Sequence, residues 1–258
     1  MRNPHGSFVW YELMTPDPES AKAFYDHVVG WTIEAQPSGP IDYRMITAPD
    51  GNVGGVMRMP PEMIAAGASQ RWVGYIGVDD VDATVDAIAK DGGAAMMGPV
   101  DIEGVGRMAY VQDPDGAPFY VMRGSPDEVS TAFAPAPGAF GHVVWNELSA
   151  ADQDRAQAFY TAQFGWRQDG AMPMGPLGEY RFLYHGETMI GAVMPPMHES
   201  ASGWMFYFHV SDIDAGAERV RAGGGVIEQE PVEIPGGGFS LAARDPAGAR
   251  FGLVGERM

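Results

Sequence analysis

Trp10-Tyr11-Glu12-Leu13 returns as Trp145-Asn146-Glu147-Leu148, and that pair of phrases decides the fold. Working outward, Phe24-Tyr25 returns as Phe159-Tyr160 and Gly30-Trp31 as Gly165-Trp166, all at an offset of 135 residues. Further along, Trp72, Tyr75, Val78, Asp80 and Asp82 map onto Trp204, Tyr207, Val210, Asp212 and Asp214 at an offset of 132, as do Asp113-Pro114 and Gly116 onto Asp245-Pro246 and Gly248. A repeat longer than a hundred residues is a duplicated domain, because solenoid repeats are far shorter and cannot fold alone. The boundaries are residues 1–123 for the first domain, 124–140 for a Pro/Ala-rich linker with little to pack, and 141–258 for the second.

Each copy contains a smaller pattern twice. Phe8 to Met14 has the aromatic density of a strand, with Phe8, Trp10 and Glu12 on one face. Asp17 then caps a helix with Pro18 at its first position and Ala21, Phe24, Tyr25 and Val28 at helical spacing, which Gly30 stops. Short strands follow at 32–35, 43–47 and 53–57. The pattern restarts with a strand at 72–78, a helix capped by Asp80, and strands at 95–100, 107–112 and 118–122, the last two joined by an Asp113-Pro114-Asp115-Gly116 hairpin turn. That turn lacks the spaced oxygen ligands and closing Glu of a calcium loop. The chain is therefore an α+β protein of four β-α-β-β-β modules.

A length of 258 residues with 45% hydrophobic content supports two cores. The formal charge of −18 disfavours nucleic acid and anionic lipid as partners. The absence of cysteine excludes disulfides, thiolate nucleophiles and thiolate metal sites. No apolar run reaches the roughly 20 residues that span a bilayer, and residues 1–14 do not read as a signal peptide, so the expectation is a cytoplasmic protein that binds no membrane.

The first strand, the helix ending in Phe-Tyr, the Gly-Trp stop, the Val78-Asp79-Asp80-Val81-Asp82 helix start and the Asp-Pro-Asp-Gly hairpin together resemble the vicinal oxygen chelate superfamily of glyoxalases, bleomycin-resistance proteins and extradiol dioxygenases. Trp10-Tyr11-Glu12-Leu13, its second copy and Gly106-Arg107-Met108 are similar to a tandem two-domain subgroup that includes a mycobacterial secreted antigen and hydroxylase-labelled proteins. The resemblance implies that two modules pair into a curved, cup-like eight-stranded sheet with flanking helices. It also implies a divalent metal held by His, Gln or Glu on the first and last strands. On the first strands those positions fall here on Trp10 and Val73, and on Trp145 and Met205, none of which can hold a hard metal, while the final strands place Tyr120 and Gly252 where a Glu would be expected.

The expectation is thus a metal-free protein without cofactor, whose Trp- and Tyr-lined cups bind a small aromatic or apolar molecule. It would either sequester that molecule or perform acid/base chemistry of the isomerase or lyase type. Two other classes stay open: a lyase or dioxygenase using Zn, Fe, Mn or Ni, and a protein-interaction module with vestigial cups. A monomer or a homodimer suits the duplicated chain.

Glu12 and Glu147 share strand parity with Trp10 and Trp145, which makes them candidate acid/base groups; the plainer reading pairs them with Arg44 or Arg181, which occur at matched positions. Tyr75, Tyr120 and Tyr207 are candidate ligand hydrogen-bond donors or aromatic core. Arg107 is a candidate anchor in the first cup or a surface arginine. His209 keeps the parity of Tyr207 and, with Glu147, forms the one His/carboxylate pair, or else is a packed neutral histidine. His5, His142, His185 and His198 read as surface residues. The 17 methionines read as core filling or adaptable lining.

Overall fold

The helices begin where the acidic caps stand. The computed structural model describes residues 2–37, 39–125, 128–197 and 203–258. In it Asp17 accepts from the Ser20 amide, Asp80 from Ala83, Asp152 from Arg155, and Asp212 from Asp214 and Ala215, satisfying amides that have no partner inside a first turn. Pro18 starts the first helix.

The first repeat runs β1 (Phe8–Thr15), α1 (Pro18–Val28), β2 (Thr32–Ile33), β3 (Tyr43–Ala48), β4 (Gly51–Arg58), a short α2 (Pro61–Ala65), β5 (Arg71–Gly77), α3 (Val81–Lys90), β6 (Ala94–Ile102), β7 (Gly106–Gln112) and β8 (Pro118–Gly124). The second runs β9 (Val143–Ser149), α4 (Gln153–Phe164), β10 (Arg167–Pro173), β11 (Glu179–His185), β12 (Thr188–Met194), β13 (Gly203–Asp212), α5 (Ile213–Ala222), β14 (Val226–Glu233), β15 (Phe239–Arg244) and β16 (Arg250–Glu256). The short helix α2 has no counterpart in the sequence reading; it begins at Pro60-Pro61, where a proline at the first turn is tolerated.

Each repeat forms an open eight-stranded mixed sheet, in the orders β2-β3-β4-β1-β5-β8-β7-β6 and β10-β11-β12-β9-β13-β16-β15-β14. In the first sheet β1 runs parallel to β4 and β5 to β8; in the second β12 runs parallel to β9 and β13 to β16. By packing, the chain divides into two compact units, one of Met1–Trp10, Val73–Ser130 and Asn146–Trp204, the other of Tyr11–Trp72, Thr131–Trp145 and Met205–Met258. Each unit therefore contains segments of both repeats.

In the first unit Tyr160 of α4 stacks on Trp166 at 5.2 Å, and Phe8 and Phe119 close around them. The Tyr160 hydroxyl receives the Trp204 indole N–H at 3.1 Å and donates to Asp113 Oδ2 at 3.1 Å. Asp113 Oδ1 accepts from the amides of Asp115 and Ala117 in its own hairpin turn. The second unit repeats the motif: Trp72 donates to Tyr25 at 2.8 Å, Tyr25 to Asp245 at 3.1 Å, and Asp245 collects the Ala247 and Ala249 amides as well as the Gln70 side chain. Burial is the main cause that lifts both aspartate pKa values, and it drives both phenols well above their ordinary range. A helix tyrosine of one repeat is thus fastened to the Asp-Pro turn of the other.

Two sequence expectations change. The linker packs more than its composition suggests: Ala132 is fully buried, Phe133 bridges to Val143, and just past its end the Trp31 indole donates to the Gly141 carbonyl at 2.7 Å. Some of its backbone groups find partners on β9, as in the bond from the Ala134 amide to the Val143 carbonyl. His142 is buried rather than exposed, lying 2.7 Å from Asp50 and 2.5 Å from the Thr131 carbonyl oxygen. His5 and His185 are half-buried, and His198 lies outside the described residues.

Candidate functional site

Side chains alternate across a strand, so the residues beside the helix-packed aromatics point to the opposite face of each sheet. In the first unit Phe119 packs on Phe164 of α4, which turns its neighbour Tyr120 to the other side. There Tyr120 pairs in register with Tyr75 on one side and Tyr110 on the other. Tyr75 and Tyr120 stack at 4.2 Å with 13° between their planes, and Tyr110 lies 4.7 Å from Tyr120. All three rings are buried, and Trp10 is half-buried. Tyr110 was not among the residues that the sequence singled out.

Arg107 does not join this row. Its guanidinium is taken up by Asp82 at 2.7 and 2.8 Å and by Asp101 at 2.9 Å, which ties β7 to α3 and β6 at the surface. Of the two readings of Arg107, a cup anchor or a surface arginine, these bonds suit the second: the two carboxylates take three of the five N–H donors of its planar fork.

Glu147, also in the first unit, is half-buried and accepts a hydrogen bond from the Tyr180 hydroxyl at 2.7 Å. Its neighbour Asn146 is buried and donates to the Ile190 carbonyl at 2.7 Å. The anticipated partner Arg181 instead binds Asp154 and Glu179. In the second unit Glu12 is only 1% exposed and sits in register with Gly55 of β4. The Tyr43 ring lies so close over Gly55 that a Cβ there would overlap it. Arg44 is again engaged elsewhere, with Asp42 and Glu19. Tyr43 and Tyr180, like Tyr110, are thus residues that sequence reasoning missed; for this pair the signal was the Tyr-Arg dipeptide standing at matched positions, of which only the arginine was considered.

The second unit holds the other aromatic face. Trp145 and Val254 pack on a buried cluster of Met205, Tyr207 and Ala242. Phe208 and Phe251, which alternate with Tyr207 and Gly252, join Tyr25 on the helix side. Tyr207 pairs with Gly252, and its ring lies across the place a Gly252 Cβ would take. His209 sits beyond this cluster, 4.8 Å from the Phe140 ring, and burial lowers its pKa despite the nearby Ala139 backbone.

The donor set here does not fit a divalent metal. The positions where the resemblance places ligands carry aromatic or apolar side chains, and any larger residue at Gly252 would displace the Tyr207 ring. Among the described residues no three His, Asp or Glu side chains come together in the way a metal ion needs.

Comparison with known proteins agrees with the architecture. The family model of the Glyoxalase/Bleomycin resistance protein/Dioxygenase superfamily matches residues 7–121 and again 139–253. The chain is 36% identical over 248 residues to CFP32 of Mycobacterium tuberculosis, which carries a provisional glyoxylase name, covering 95% of this chain and 93% of that protein. It is 31% identical over 272 residues to the anthracycline biosynthesis protein DauV of Streptomyces sp. strain C5, covering 96% and 93%. Among solved structures it is similar in fold to the 2,3-dioxygenase LapB from Pseudomonas sp. KL28, with a TM-score of 0.66 and 11% identity over 100% of this chain and 94% of that one. It is likewise similar to the Mn(II)-bound glyoxalase from Novosphingobium aromaticivorans, with a TM-score of 0.62 and 17% identity over 100% and 83%. The duplicated modules, the two eight-stranded sheets and the twofold family match together place this chain in the glyoxalase/bleomycin resistance protein/dioxygenase superfamily.

Proposed function

We propose that the protein binds a small, largely apolar aromatic molecule against its tyrosine- and tryptophan-lined sheet faces and uses Glu147, with Glu12 in the matching place, as a metal-free acid/base group. The observation that carries this reading is the 2.7 Å bond from Tyr180 to Glu147. A phenol bound to one oxygen fixes the carboxylate in a single orientation, which is what proton transfer to a bound ligand requires. In the simplest reaction Glu147 removes a proton from an acidic C–H that lies between a ligand carbonyl and a C=C bond, and returns it to the far carbon of that double bond as the double bond moves into conjugation with the carbonyl, an isomerisation that needs no co-reactant. The aromatic ligand class is supported by the anthracycline name of one relative, and the isomerase or lyase class by the glyoxylase name of another.

The test uses a panel of aromatic ketones and hydroxyanthraquinones. Binding of the whole panel is read by tryptophan fluorescence, and proton removal by deuterium uptake from D2O into the ketones, chosen to carry an enolisable C–H, in NMR spectra. Glu147→Gln is expected to bind as tightly as the wild type while losing deuterium uptake at least a hundredfold, in line with the contribution of a positioned base, roughly 10²–10⁴. Full uptake in both Glu147→Gln and Glu12→Gln would remove these carboxylates from the chemistry. Near-stoichiometric metal retained after dialysis, with activity lost on chelation, would overturn the metal-free reading.

A further inference from the structure

The duplication supplies an internal comparison on the sheet face opposite the tyrosine row. In the first repeat Arg107 of β7 and Arg123 of β8 stand directly opposite each other in the ladder, with Gly124 next in line. They alternate with Met108 and Met122, which share the face of Tyr110 and Tyr120. The same ladder positions in the second repeat are Phe239 and Gly255, followed by Glu256. Like charges directly opposite each other destabilise a sheet, so the fold does not call for this arginine pair. Arg107 has a structural task, binding Asp82 of α3 and Asp101 of β6. In the second repeat Arg257 takes the corresponding task, binding Asp214 of α5 at 2.7 and 2.9 Å. Arg123 is the additional guanidinium. It meets Asp79 at 3.5 Å, the outer limit of a hydrogen bond, and Asp79 is 77% exposed.

Arg107 and Arg123 line a cleft of about 470 Å³ together with Arg2, Asp101 and Glu103. Next to Arg2, Asn3 accepts from the Ser130 amide at 2.8 Å, which fixes the chain there. We infer that this cleft binds the phosphate group of a small organic phosphate, with Arg123 as its anchor and Arg107 and Arg2 as further donors. Arg107 keeps two of its five N–H donors after binding its carboxylates. The long contact of Arg123 with an exposed carboxylate is worth little, so exchanging it for short charge-assisted bonds to a ligand oxygen is favourable. The carboxylates around the arginines, Asp79, Asp82, Asp101 and Glu103, select the ligand. A singly charged anion gains no more from Arg123 than Asp79 does, whereas a phosphate brings two charges and three acceptor oxygens. The volume exceeds that of a bare phosphate and leaves space for an organic body. The second repeat cannot hold an anion in this way, since it lacks both strand arginines and sets the Glu256 carboxylate in the place of Gly124.

The test titrates glycerol phosphate, inorganic phosphate and acetate into full-length protein by isothermal titration calorimetry in a phosphate-free, low-salt buffer. None of the probes has a ring for the aromatic faces, so the outcome is independent of the acid/base reading of Glu147. One site per chain is expected, for which the two phosphates compete and the ester binds at least as tightly as inorganic phosphate. Arg123→Gln should weaken both roughly tenfold, the effect of losing a charge-assisted contact. Glu103→Gln, which removes a repelling carboxylate, should tighten both about threefold. Circular dichroism checks that both surface variants keep the fold. Absence of phosphate binding by the wild type, undiminished affinity in Arg123→Gln, or weaker binding in Glu103→Gln would overturn the inference. Acetate bound as tightly as the phosphates would overturn the assignment to phosphate, and inorganic phosphate bound more tightly than the ester would overturn the organic body.

Discussion

Asp113 and Asp245 are buried carboxylates with matched partners, and a small difference between them is informative. Each accepts from a helix tyrosine, but Asp245 also receives the Gln70 side chain. Removing a donor from a buried charged acceptor costs about 1–3 kcal/mol, and a remaining donor softens the loss. Tyr160→Phe is accordingly expected to destabilise the protein more than Tyr25→Phe in urea unfolding; equal losses would show that Gln70 contributes nothing. The same aspartates set a pH dependence. Their folded pKa values are raised, so folding takes up protons there: their contribution is fully present below the unfolded value near 3.8 and is lost as pH rises through the folded value. The stability of the wild type relative to the Asp113→Asn/Asp245→Asn double variant should therefore improve as the buffer is taken from pH 7 down towards the unfolded value near 3.8. A pH-independent difference would mean that neither aspartate titrates differently on folding. The sequence marked Tyr25, Tyr160 and both Asp-Pro turns as separate local features. Their pairing across the repeats was not legible, because strand and helix periodicity carry no information on which distant turn a buried hydroxyl meets.

At the scale of elements the repeats diverge most at their edge strands. β6 exposes Met96 at 55% and Met97 at 37%, with Val100 and Ile102 beside them, and carries its one carboxylate, Asp101, near its end. The matching strand β14 carries Glu228, Glu230 and Glu233 instead, and Glu228 is paired with Arg244 and Arg250. Charge on an edge strand blocks pairing with another chain, so β14 is guarded and β6 is not. Met97→Lys is expected to lower concentration-dependent light scattering on heating, whereas an unchanged scattering curve would show that β6 is not the site of self-association. The linker shows the opposite bias, being better packed than its Pro/Ala content suggests. Its Phe140 ring rests on His209, whose pKa is lowered by burial. A depressed histidine contributes stability above its unfolded value near 6.5 that is lost as pH falls through the folded one, so this contact weakens on acidification. The thermal midpoint should fall more between pH 8 and pH 5.5 in the wild type than in His209→Leu. Strands, caps and turns were readable because each depends on neighbours in sequence. The roles of Tyr43 and Tyr180 were not, since each depends on what stands opposite across the sheet: Gly55 under one ring, Glu147 at the end of the other.

For the whole molecule, the duplication read from the sequence and the packing of the chain divide it differently. Each sheet follows one repeat, yet each compact unit gathers segments from both. Within one unit Tyr25 of the first repeat is fastened to Asp245 of the second, and within the other Tyr160 of the second is fastened to Asp113 of the first. Aromatic contacts reinforce both, with Phe24 against Phe251 and Phe119 against Tyr160. Burying such rings contributes about 1.5–3 kcal/mol each, so several together can hold the segments of both repeats in place without the covalent link through the exposed Pro135–Gly138 stretch. A protease site inserted between Pro137 and Gly138 and then cleaved should therefore leave the two fragments associated. Gel filtration is expected to return one species at the size of the intact chain, separating into halves only when urea unfolds both units together. Fragments that part under native conditions would show that each repeat closes its own core, and the two Tyr–Asp fastenings would then be consequences of tethering rather than causes of assembly.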